Sequence, residues 1–274
     1  LWQQIGFQIG SIVGPSVAGI LLVTRLGYTG LYTSCMGLYV LALVCYALMR
    51  VRPPARPETE PFMRALLGGL RYVFKERLLL GAMSLDLFAV LLGGATALLP
   101  VFAKDVLQTD ATGLGILRAA PSVGAGLAAL CLAFRPLQRS IGLWLLWSVA
   151  LFGGATILFG LSREFWLSVA ALIVGGAADM ISVTVRHTLI QVATPDEVRA
   201  RVSAVAFIFI GASNELGEFE SGLTAKWWGA VNAVVVGGAG TIAVVLLWAG
   251  FFPQLRKAGR FEDYGARVRG GGGA

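Results

Sequence analysis

The chain has 274 residues, of which 57% are hydrophobic and only 14% charged, and its mean hydropathy is +0.76. Soluble domains are nearer 45–50% apolar and about 25% charged, so the polar surface here is too small to wrap a water-facing protein around this apolar content, and a soluble enzyme domain is excluded. In so apolar a chain the net charge of +7 belongs to cationic loops that set orientation in a bilayer, not to a nucleic-acid face.

A bilayer core about 30 Å thick requires about 20 mostly apolar residues per helix. About eight such runs follow in order: 6–24, 30–49, 78–102, 114–134, 141–161, 165–185, 202–223 and 230–252. Alternating barrel patterning is absent, so the fold class is an all-α polytopic membrane protein. Residues 1–49 form two spans and 50–77 a linker, which carries Arg52-Pro53-Pro54-Ala55-Arg56-Pro57; these prolines forbid a continuous helix. Residues 78–252 form a six-helix bundle, and 253–274 a basic tail whose closing glycines, 270–273, are expected to be disordered. Within the linker, 61–77 predicts an amphipathic helix. Its stripe is Phe62, Met63, Leu66, Leu67, Leu70, Val73 and Phe74, with Arg64, Arg71 and Lys75 beside it. It is expected to lie on the inner leaflet, with a regulatory partner-binding helix as the alternative.

Cations concentrate in alternate loops. Linker, tail, Arg135, Arg139, Arg186, Arg199 and Arg201 fall on one side, against only Arg25, Lys104, Arg163 and Lys226 on the other. The positive-inside rule places the first side, with linker and tail, in the cytoplasm. Cys35, Cys45, Cys131 and the single His187 make neither a disulfide framework nor a metal spacing, so no metal and no cofactor is expected.

In the first run Gly6, Gly10 and Gly14 recur at spacing four, followed by Pro15, Ala18 and Gly19. This makes a smooth packing face with a bend at the proline. The full string resembles the fifth-helix signature of antiporters in the major facilitator superfamily, with Ala18 where that family usually has Gly. The resemblance makes the eight runs helices five to twelve of a partial fold of that superfamily, with the linker as its central cytoplasmic loop and four helices preceding residue 1. Around the later runs the chain reads Leu99-Pro100-Val101-Phe102-Ala103, Gly175-Gly176-Ala177-Ala178-Asp179, Thr194-Pro195-Asp196-Glu197-Val198-Arg199-Ala200-Arg201 and Gly211-Ala212-Ser213-Asn214-Glu215-Leu216-Gly217-Glu218. These strings are similar to the enterobactin-exporter-like branch. That resemblance implies a proton-driven exporter of a siderophore or an amphipathic drug-like molecule in a bacterial inner membrane, a monomer at full length, with small-molecule substrate, protons and lipid bilayer as partners and no nucleic acid.

Ionisable residues at membrane depth are costly and usually face a cavity or a partner. They occur at Asp86, Arg118, Asp179, Glu215, Glu218 and Glu220, on runs that the resemblance makes cavity-lining or flanking. Glu215 and Glu218, one turn apart on one face, are the expected proton-coupling acids, Glu215 first and Asp86 next. Arg118 is expected within reach of Glu218 or Glu220, where it lines the cavity or merely neutralises a glutamate. Asp179 and Arg186, seven apart on one face, are expected to form a structural or gating ion pair. Arg199 and Arg201 are expected either to close the inner side against acids of the other bundle or to act as simple positive-inside anchors; His187 is a bystander. A membrane-embedded enzyme is the competing class, but no Gly-x-Ser-x-Gly or His-Glu-x-x-His is present. A permease subunit driven by a separate ATPase is a third reading, since a partner chain could carry the absent Walker motif.

Overall fold

The computed structural model describes residues 10, 13–14, 17–18, 27–48, 62–135, 137 and 139–259, and among them there is no strand. Its long helices are α1 (Gly27–Leu48), α2 (Phe62–Lys75), α3 (Arg77–Leu92), α4 (Ala111–Phe134), α5 (Ile141–Leu161), α6 (Phe165–Ala193), α7 (Asp196–Trp228) and α8 (Ala230–Phe251). Among the described residues seven helices are long and apolar enough to cross a membrane, α2 being the helix that is not. Most of the first expected span lies outside the described residues, as do Gly6, Pro15 and Gly19 of its packing motif. Gly10 and Gly14 are described, and a side chain at either would meet nothing within 4 Å.

Three helices depart from their expected bounds. The third span does not run straight to residue 102: α3 stops at Gly93–Gly94, and the chain continues through a 3-10 turn (Ala95–Leu98), one α-turn (Leu99–Val101) and a π-turn (Phe102–Val106). Pro100 has no N–H for the Thr96 carbonyl four residues back; that carbonyl accepts from Leu99 instead, tightening the turn. α6 runs past residue 185 to Ala193, and α7 begins at Asp196. Arg186 is therefore an intrahelical residue, 3% exposed, rather than a loop cation. Hydropathy finds only the apolar middle of such a helix, while the backbone ladder continues into its polar end. Asp196 and Glu197 in the first turn of α7 favour its start by meeting the positive end of the helix dipole.

The break after α3 is braced by backbone approaches that only small residues permit. A Cβ on Gly217 of α7 would lie 2.8 Å from the Val90 carbonyl oxygen, and one on Gly237 of α8 would run into the carbonyl of Leu92. The buried Thr241 hydroxyl on α8 donates to the Ala89 carbonyl at 3.1 Å. α4 and α6 cross just as closely, Gly176 against the Pro121 carbonyl and Gly124 against that of Ile173. Around these crossings lie three apolar clusters. One joins Leu85, Ile141, Leu145, Val185 and Leu255, and a second is built on Phe102, Leu117, Phe159 and Val234. The third joins Val73 of α2 to Leu79, Met83, Ile190, Val202 and Val205.

α2 is thereby docked on the start of α7 as well as amphipathic. A Cβ on Gly69 would lie 2.7 Å from the Arg201 carbonyl oxygen, and the Tyr72 hydroxyl donates to the Ala193 carbonyl at 3.2 Å. The expected stripe divides: Val73 is buried with Leu66 and Leu70 packed beside it, whereas Met63, Leu67 and Phe74 stay exposed. The first residues of the tail are ordered too, with a short helix at Pro253–Arg256 that buries Leu255. The Ile141 N–H there donates to the Gly259 carbonyl at 3.2 Å.

Candidate functional site

The helix break opens a cavity of about 250 Å³. Gly93, Gly94, Ala95 and Thr96 line it with backbone and small side chains; Phe152, Phe159 and Leu172 supply apolar walls from α5 and α6. Charged and amide side chains converge from three helices, Asp86 on α3, Asp179 and Arg186 on α6, and Asn214 on α7, with the Thr156 hydroxyl on α5 beside them. A largely apolar pocket with a few convergent polar groups is the usual form of a small-molecule site.

Arg186 Nη1 forms an ion pair with Asp86 Oδ1, the two side chains being 4% and 9% exposed. The expected Asp179–Arg186 pair is therefore replaced. Seven residues on a helix separate Cα atoms by about 10 Å, whereas Asp86 faces Arg186 directly across the α3–α6 interface. Asp179 nonetheless lines the same cavity and lies within electrostatic reach of both members of the pair.

The other expected site residues lie elsewhere. Glu215 and Glu218 are exposed and do not line the cavity. The cavity-facing strip of α7 is Ile210 and Asn214, and Glu218 continues it one turn further along; Glu215 lies off it. Arg118 is exposed, and among the described residues it makes no ion pair with Glu218 or Glu220. The cause is packing: α4 buries Leu117, Ala120 and Gly124 and pairs with α6 rather than α7, which turns Arg118 outward. Arg199 pairs with Asp196 one turn before it and donates to the Thr194 carbonyl at 3.1 Å, closing its own turn. Arg201 lies against α2, its backbone over Gly69 and its side chain over Gly68. Sequence reasoning passed over Asn214 and the Gly93–Gly94 break as site elements. The adjacent glycines followed by Pro100 were the available signal for the break. Among the described residues no cluster of His, Cys, Asp and Glu could hold a metal ion.

The family model for a transmembrane secretion effector matches residues 1–262. The chain belongs to this family. It is an all-α polytopic membrane protein of the major facilitator superfamily, as the sequence resemblance implied. The enterobactin exporter EntS of Escherichia coli O1:K1 is 27% identical over 237 residues, covering 86% of this chain and 52% of that protein. The enterobactin exporter EntS of Shigella boydii serotype 18 is 26% identical over 235 residues with the same coverage. The chain thus spans about half the length of the curated relatives it matches. Among solved structures, a bacterial homologue of the human lysosomal transporter Spinster, in an inward-facing and unoccupied conformation, has the same fold. Its TM-score is 0.61 at 14% identity, over 93% of this chain and 69% of that one. Both of these curated EntS relatives are named as exporters.

Proposed function

We propose that this chain carries the C-terminal bundle of a secondary transporter that exports a siderophore-like or amphipathic small molecule by alternating access, driven by protons across a bacterial inner membrane. One observation carries the reading: a cavity bounded by an interrupted membrane helix and holding Asp86, Arg186 and Asp179 at membrane depth. Interrupted helices that expose backbone at mid-membrane are where secondary transporters bind substrates and coupling ions. The cavity-lining backbone at Gly93–Thr96 supplies polar contacts, and Phe152 and Phe159 an apolar face, which together suit an amphipathic molecule.

The roles follow from position. Glu218, on the strip beyond Asn214, and Glu215 beside it are the acids that pass protons between the cavity and the outer side. Arg199 and Arg201 stand at the inner entrance with linker and tail cytoplasmic, and α2, docked on the start of α7, couples the linker to that entrance. The full-length protein, purified into vesicles, should accumulate or expel substrate under an imposed pH gradient without ATP. Transport that requires ATP and a partner chain would favour the permease-subunit reading instead.

A further inference from the structure

The cavity holds two carboxylates, Asp86 and Asp179, and one guanidinium, Arg186. Ionised together they leave one negative charge uncompensated among apolar walls, which is costly at membrane depth. Among the described residues no other ionisable side chain lines the cavity. α5 and α8 contain none, Arg118 on α4 is turned outward, and Arg199 and Arg201 sit at the far start of α7, away from the cavity lining. Glu215, Glu218 and Glu220 lie outside the lining as well, and His187, within electrostatic reach of Asp86 and Arg186, does not line the cavity and turns its ring toward Phe207, 6.3 Å between centroids.

Arg186 is built to serve either acid. It is held by Asp86 through Nη1, while its Nε is buried with no hydrogen-bond partner among the described residues. Side chains on an α-helix lean toward its N-terminus, so the guanidinium is carried from position 186 back toward Asp179, two turns earlier on the same face. We propose that Arg186 is a shared counter-ion that pairs with Asp86 in one opening of the cavity and with Asp179 in the other, and that the carboxylate it releases is the one that takes the proton. In the arrangement seen here Asp86 is paired, and on this proposal Asp179 is the acid that holds the proton. When Arg186 crosses to Asp179, that proton leaves the Asp179 oxygen for cavity water, and the freed Asp86 is the group neutralised next. The inference rests on the transport reading for its purpose but not for its test.

The test uses the full-length protein in detergent, without substrate, and reads two properties of Asp86→Asn, Asp179→Asn and the double variant. They are thermal stability and the infrared carbonyl band of a protonated carboxylic acid. With a shared counter-ion, either single variant stays folded because Arg186 pairs with the remaining acid, and both lose the same one-carboxyl band. The double variant, with Arg186 stranded, loses most of its folded yield. A fixed Asp86–Arg186 pair predicts another pattern: Asp86→Asn unfolds as readily as the double variant, and the band disappears in Asp179→Asn alone. That pattern would overturn the proposal. In vesicles each single variant should lose at least tenfold in export driven by a pH gradient while retaining substrate-for-substrate exchange. If the parental protein exports nothing under a pH gradient, the transport reading fails, whatever the band pattern shows.

Discussion

At the residue scale the buried ion pair is the most exposed to mutation. Arg186→Ala leaves Asp86 without its partner at 6% exposure, a change that costs about 3–5 kcal/mol in buried pairs. The unfolding midpoint of the purified protein should fall accordingly. Arg186→Lys keeps the charge but loses the planar fork, and should recover part of the loss. Tyr72 offers a smaller effect with a defined pH window. Its hydroxyl donates to the Ala193 carbonyl, and burial, with the Glu76 carboxylate adding to it, pushes the phenol above its ordinary 10.0. A folded-state value above the unfolded one means that the contribution is complete below about pH 10 and is lost as pH climbs through the raised value. Tyr72→Phe should cost about 1 kcal/mol at neutral pH and remove the alkaline sensitivity of α2 docking, followed by proteolysis at Arg71.

Helices were legible where their cause is local, and illegible where neighbours decide. Runs 141–161 and 230–252 match α5 and α8 almost residue for residue, because a bilayer-length apolar stretch marks itself. α2 was legible as a helix from its 3.6-residue stripe, yet the stripe does not say which part faces protein and which stays exposed. Gly69 and Gly68 decide that, the first by admitting the backbone of Arg201 and the second its side chain. A Gly69→Leu substitution has no room at 2.7 Å from that carbonyl oxygen and should cost about 1–3 kcal/mol, so that trypsin cuts at Arg64 and Arg71 several-fold faster. The bend after α3 depends on Thr241 bonding to Ala89 from another helix. Thr241→Val should lower stability by about 1 kcal/mol without changing helix content by circular dichroism.

For the whole molecule, orientation is the property that the charge pattern predicts and that labelling can check. Cys35, Cys45 and Cys131 are all exposed, so they must be replaced first. A cysteine at Arg71 should then react only with reagent on the cytoplasmic side, and one at Arg163, in the turn between α5 and α6, only with reagent on the opposite side. Reaction of both from one face would reverse or dismantle the topology. The apolar surface of α1, with Tyr39 74% and Leu48 76% exposed, is of the kind that lipid or neighbouring helices cover in a multi-pass protein.

The sequence by itself determined the solvent of this protein, the apolar middle of each described span though not the ends of α3, α6 and α7, and, through glycine spacing and loop strings, its superfamily. These follow from composition and from periodicities of three to four residues, which a chain carries locally. It did not determine which charges meet. Asp86 and Arg186 are a hundred residues apart in the chain, and they meet only where α3 packs against α6. Asp179, nearer to Arg186 on the same helix, is left free to face the cavity. Glu215 and Glu218, the acids that spacing favoured, lie outside the cavity because α7 turns Ile210 and Asn214 toward it. The rotation of a helix about its own axis depends on every neighbour it packs against, so only the tertiary structure decided which acids share the cavity.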